Sequence, residues 1–172
     1  MKTRNLWSKN LIVAGGIGLV VGAIDPLEGS LLILPGSGLL ALGTYLGQFE
    51  LKMLVHKVWA FVLIAVGVGA LWGLSAVGGI GGSSGHSMWW GLLILPYLIG
   101  WNMAVWGPGA PRWLLWLGIG VGLWYQALAG LILMGQGLGA WGFVLVIATI
   151  GIVALAGCIY RLLGPRGADL KT

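Results

Sequence analysis

The chain has 172 residues, 59% of them hydrophobic and only 8% charged, with a formal net charge of +5. A soluble domain carries roughly 25% charged residues, so there is too little polar surface here to clothe a water-soluble globule, and lipid is the expected solvent. The positive excess sits in short segments between apolar runs, a distribution that orients membrane proteins and argues against a nucleic-acid partner.

A bilayer core about 30 Å thick is crossed by about 20 helical residues. Apolar runs of that kind are predicted as helices at 7–24, 27–47, 58–77, 88–106, 113–134 and 140–160. The chain therefore reads as all-α: a polytopic transmembrane bundle of six helices, one transmembrane domain over residues 1–172, too short for a second. Beta-barrel spans are excluded, because the runs are too long and do not alternate apolar with polar residues.

In the first run, Lys2, Arg4 and Lys9 precede the apolar stretch 11–24. Val21-Gly22-Ala23 meets the small-residue rule for signal-peptidase cleavage, so a cleaved leader and an uncleaved helix both stay open. The uncleaved helix is the expectation, since removal would leave five spans. In the following turn Asp25 is placed to cap the second helix, Pro26 to open it and Glu28 to complete a capping box. Both carboxylates then sit at the positive end of a helix dipole, and a tight hairpin of the first two spans is predicted.

The second run holds Leu34-Pro35-Gly36-Ser37-Gly38 near its middle. Pro35 has no N–H and clashes with the turn before it, which predicts a break or kink. The fourth run carries Pro96-Tyr97 at similar depth. Broken helices are where many transporters bind solute, and Ser37, Tyr97, Gln126 and Thr149 all fall within roughly two turns of the midplane. Pro35, Gly36, Ser37, Gly38, Pro96, Tyr97, Gln126 and Thr149 thus form a candidate solute-binding set. The competing reading is two packed kinks whose hydroxyls bond back to their own helices. Asn102 and Gln126 are expected to bond across helices and hold the bundle in register. The pentapeptide Leu-Leu-Ile-Leu-Pro occurs at 31–35 and again at 92–96. Duplicated hairpins would produce it, and so would chance in so biased a composition.

The connections at Asp25-Pro26, 78–87 and 135–139 contain no Lys or Arg, whereas those on the other side hold Lys52, Lys57 and Arg112. With the cations of both terminal segments, all nine Lys and Arg fall on one side. That side is cytoplasmic by the positive-inside rule, so both termini are placed inside, in a multi-pass protein of the cell inner membrane. Trp7, Trp59, Trp106 and Trp113 near the inner limits, and Trp89, Trp90 and Trp141 near the outer, suit the membrane interfaces. The 33 glycines, many four residues apart, predict tight helix packing or an oligomer interface.

Asp25, Glu28 and His86 form a candidate polar cluster on the outer face, a cation site or pH-sensitive latch, although capping already accounts for both carboxylates. The run 81–85 matches G-x-S-x-G by letter, but it lacks the strand-to-helix elbow and the base and acid that give the motif meaning. The lone Cys158 rules out an internal disulfide and a multi-cysteine metal site, and should pack as a small hydrophobe. No ionisable residue is expected well inside a span, which argues against a proton relay. His56 and His86 lie on opposite sides, which argues against paired haem ligation. No catalytic residue, metal ligand or cofactor is expected. The chain reads as a non-enzymatic membrane protein: an uncoupled channel, carrier or solute-binding unit for a small neutral or weakly polar molecule. The alternative is an accessory or scaffold subunit of a larger membrane complex. The lipid bilayer, and either a homo-oligomer or a membrane-complex partner, are the expected associations.

Overall fold

The computed structural model describes residues 2–25, 28–79, 88–136 and 141–163. Among them there are six α-helices and no strand: α1 (Lys2–Gly22), α2 (Ser30–Leu46), α3 (Leu51–Ala76), α4 (Leu95–Trp106), α5 (Arg112–Gln136) and α6 (Trp141–Leu163). A 3₁₀ segment, Met88–Ile94, leads into α4. Three stretches are long and apolar enough to cross a membrane: Leu51–Ala76, Arg112–Leu131 and Val144–Leu163. The chain divides into two compact units, Met1–Gly107 and Pro108–Thr172.

In the first unit, α1 and α2 form an antiparallel hairpin with glycine at the crossing. Side chains there would hold the backbones apart. A Cβ on Gly36 would stand 2.9 Å from the Gly15 carbonyl oxygen, and one on Gly15 would stand 2.5 Å from that of Gly36. The approach yields dispersion contacts that larger residues would forbid. α3 packs antiparallel to α2, where Phe61 meets Gly38 and the Trp72 indole donates to Ser30 Oγ at 3.0 Å. α4 returns along α3, with Gly67 against the backbone of Tyr97 and Gly100 against Ala60 and Ile64. Leu19, Ile33, Leu40, Ile64, Tyr97, Trp101 and Val105 are buried in this unit.

The second unit is the hairpin α5–α6. Gly122 lies against Gly151 and Leu155, and the Gln126 amide donates across the hairpin to the Ala148 carbonyl at 2.8 Å.

Several helix limits differ from the sequence reading. α1 starts at Lys2, so Lys2, Arg4 and Lys9 lie on the helix. α3 starts at Leu51, so Lys52 and Lys57 belong to its first two turns, not to a connection. α2 runs unbroken through Pro35. Pro35 is exposed, while Gly36 beside it is buried against α1 and Ser37 is buried, and that packing holds the turns on either side of the missing hydrogen bond. α2 itself begins at Ser30, not at Pro26, which lies outside the described residues. The Asp25 carboxylate accepts a long bond from the Glu28 N–H, 3.4 Å. α3 stops where Gly78, at φ +91, turns left-handed and the Gly79 N–H closes onto the Leu74 carbonyl at 2.8 Å.

Candidate functional site

The antiparallel order gives each unit two chemically different ends. In the first unit the starts of α1 and α3 and the finishes of α2 and α4 meet at one end. That end carries Arg4, Lys9, Lys52, His56 and Lys57, together with Glu50. Asp25 and Glu28, both exposed, lie at the other end. In the second unit Arg112 opens α5 and Arg161 lies in the last turn of α6, again at one end of the hairpin.

Cations at that end also meet helix C-termini, where carbonyls lack intrahelical partners and the dipole is negative. Arg4 Nε donates to the carbonyl of Leu46, the last residue of α2, at 3.1 Å. Lys57 Nζ donates to the Ala104 carbonyl at 2.8 Å, and His56 Nε2 to the Met103 carbonyl at 3.1 Å, both in the last turn of α4. Because a carbonyl only accepts, Nε2 is the protonated ring nitrogen in that bond. Lys57 is only 4% exposed, so an ammonium lies inside the helix pair, seven residues into α3. A charge that the sequence reading leaves in a solvated connection is thus packed against a neighbouring helix.

The candidate solute-binding residues are distributed as follows. Ser37, 2% exposed, donates to the Leu34 carbonyl of its own helix at 2.8 Å. Thr149 is exposed and donates to the Leu145 carbonyl one turn earlier at 2.7 Å. Gly36 is taken up by the crossing with α1, and Gly38 faces Phe61. Pro96 is the second residue of α4, where its missing N–H costs the helix little. Tyr97, buried beside it, packs against Gly67 of α3. Pro35, Gly36, Ser37, Gly38, Pro96 and Tyr97 belong to the first unit, Gln126 and Thr149 to the second. Of the outer-face cluster, Asp25 and Glu28 are neighbours in one turn, and His86 lies outside the described residues. So do 81–85, which carry the G-x-S-x-G letters.

Sequence reasoning missed two groups, Lys57 and Trp101, and misplaced the bond of a third. Lys57 precedes Ala60, Ile64 and Gly67 at helical spacing, so its place on the buried line was available as a periodicity signal. Trp101 donates to the Leu19 carbonyl on α1 at 3.1 Å, a bond that no local pattern announces. Asn102, expected to bond across helices as Gln126 does, instead donates to the Leu98 carbonyl of its own helix at 2.8 Å; its Oδ1 and the Trp106 Nε1, one turn apart on α4, are buried without a hydrogen-bond partner among the described residues.

Compared with family models, curated proteins and solved structures, the chain matches none.

Proposed function

We propose that the chain is a six-span protein of the inner membrane, with its cation-bearing end and both termini in the cytoplasm, and that it acts without catalysis as an accessory or scaffold subunit of a larger membrane complex. The six-span reading accommodates the short helices. α4 alone reaches about 18 Å, but with the 3₁₀ segment adding about 14 Å the pair matches a bilayer core of about 30 Å. Cations gathered at one end of each unit agree with an orientation set by the positive-inside rule.

One observation carries the accessory role. Six polar side chains along the apolar helices donate to backbone carbonyls: Ser8 to Gly43, Ser37 to Leu34, Thr44 to Leu40, Asn102 to Leu98, Gln126 to Ala148 and Thr149 to Leu145. Donors held in this way stiffen helices and helix pairs and are not presented to a solute. Meanwhile large apolar side chains stand outward on every helix, among them Trp7, Leu31, Val66, Ile99, Trp116 and Ile152, as suits lipid or partner helices. Purification in mild detergent tests the role: a stoichiometric membrane partner is expected, and an isolated chain that retains its physiological activity would reject it.

A permeation role is the second reading, favoured by one feature. The unsatisfied Asn102 Oδ1 and Trp106 Nε1 lie on α4, downstream of the 3₁₀-to-α junction beside Pro96. Polar groups left open at helix irregularities are what a carrier for a small neutral molecule would use. Liposome flux of such solutes decides it; permeability lost in Asn102→Leu would move the assignment from scaffold to carrier.

A further inference from the structure

We infer that the chain is built from three copies of one helical hairpin, α1–α2, α3–α4 and α5–α6, each crossing at the same structural point. The crossings supply the correspondence. In the first hairpin a Cβ on Gly36 would meet the Gly15 carbonyl oxygen at 2.9 Å and the Leu19 amide nitrogen at 3.1 Å. In the second, a Cβ on Gly100 would meet the Ala60 carbonyl oxygen and the Ile64 amide nitrogen, both at 2.8 Å. In the third, a Cβ on Gly151 would meet the Gly122 carbonyl oxygen at 2.8 Å and the Gln126 side-chain amide at 2.7 Å. Gly15, Ala60 and Gly122 are therefore equivalent, as are Leu19, Ile64 and Gln126, and Gly36, Gly100 and Gly151.

Two contacts away from the crossing keep the same register, whereas at the ends of the second hairpin it slips: Leu93, the equivalent of Gly29, is exposed, and Gly107, the equivalent of Gly43, meets His56. Gly22 packs against Ile33, and its equivalent Gly67 packs against Tyr97, the equivalent of Ile33. Gly15 meets Leu40, and its equivalent Gly122 meets Leu155, the equivalent of Leu40. Buried residues follow suit: Gly22, Gly67 and Ala129 on the outgoing helices, and Gly43, Gly107 and Cys158 on the returning ones. The seven-residue spacing of these lines is that of helices crossing at a small angle.

The repeated Leu-Leu-Ile-Leu-Pro does not share this register. Its proline stands one residue before Gly36 in the first copy but four before Gly100 in the second. It is α-helical in α2 and straddles the 3₁₀-to-α junction at α4. The crossing, not the pentapeptide, marks the duplication.

The equivalence predicts a contact in the third hairpin: Leu115 and Cys158 occupy the places of Ser8 and Gly43, where Ser8 Oγ donates to the Gly43 carbonyl at 2.6 Å. Cys158 is the only native cysteine. In the full chain in native membranes, Leu115→Cys should form an intramolecular disulfide with Cys158 on mild oxidation, read by mass spectrometry, whereas Trp116→Cys, on the exposed face, should not. A second pair, Ala129→Cys with Val144→Cys in a Cys158→Ser background, stands at the places of Gly22 and Gly29 and should also link. Gln126→Cys with Ala148→Cys, whose hydrogen bond defines the hairpin itself, is the control. Failure of either test pair while the control links overturns the equivalence, and failure of all three overturns it together with the hairpin.

Discussion

The α1–α2 and α3–α4 hairpins cross alike but are held by different chemistry. In α1–α2 the line is almost entirely glycine: Gly15 and Gly22 on one helix, Gly29, Gly36 and Gly43 on the other. Backbone lies on backbone, and the polar supplement is one buried hydroxyl, Ser8, on the Gly43 carbonyl, with the exposed Arg4 guanidinium on the Leu46 carbonyl at the end of α2. In α3–α4 the large ring of Tyr97 stands opposite Gly67, and the end of the pair is tied by an ammonium and an imidazole on the last turn of α4. Both hairpins cross at glycine and carry a basic side chain on the last turn of the returning helix; they differ in where those side chains lie, Arg4 exposed in the first and Lys57 buried in the second. A close crossing in apolar surroundings can thus be tied at its end from outside or from within the helix pair.

Each substitution that follows probes one side of this contrast. Gly36→Leu should do the most damage, because its side chain would enter the Gly15–Leu19 backbone and force α1 away; a loss of about 3 kcal/mol is expected, read as a large drop in thermal midpoint in detergent. If the midpoint stays unchanged, the glycine crossing is not what holds the first hairpin. Lys57→Met keeps the apolar stem and removes the ammonium from Ala104, with an expected cost of about 2 kcal/mol. Hydrogen exchange should rise in the last turns of α4 and stay level across α1–α2; equal protection would show that the amine is dispensable.

Trp101→Phe removes the indole N–H that reaches the Leu19 carbonyl while keeping an aromatic ring, and should cost about 1 kcal/mol in a denaturant titration. The smallest effect has the opposite sign. A Cβ added at Gly69 would meet nothing within 4 Å among the described residues, so Gly69→Ala should raise stability by under about 1 kcal/mol through helix propensity. A loss there instead would show that this face of α3 is in close contact with a group outside the described residues of its unit.

Much of the fold was legible because it is written locally. Apolar runs of helical length mark the six helices, with limits that shift by several residues. Of the glycine pairs four residues apart, Gly18/Gly22, Gly43/Gly47, Gly69/Gly73 and Gly118/Gly122, Gly18, Gly22, Gly43 and Gly122 lie at or beside the crossings, whereas a Cβ on Gly69 or Gly73 would meet nothing within 4 Å among the described residues. Four-residue spacing says that a helix has a smooth face; it does not say what that face meets. The candidate site was less legible. Ser37 and Thr149 turn back onto their own helices and Gln126 reaches the neighbouring one, choices that depend on which carbonyl lies nearer.

The all-helical class, and the gathering of the described cations at one end of each unit, follow from sequence alone, because hydrogen bonds within a helix join residues four apart and these cations fall within about two turns of a helix end. Three-dimensional packing decided the rest. Pro35 does not break α2, because the turns around it are clamped by α1. Lys57 is drawn inward, because α4 ends beside it and the Ala104 carbonyl has Pro108, which lacks an N–H, at its i+4 position. Both outcomes depend on partners distant in the chain, and their energies do not exist until the helices meet.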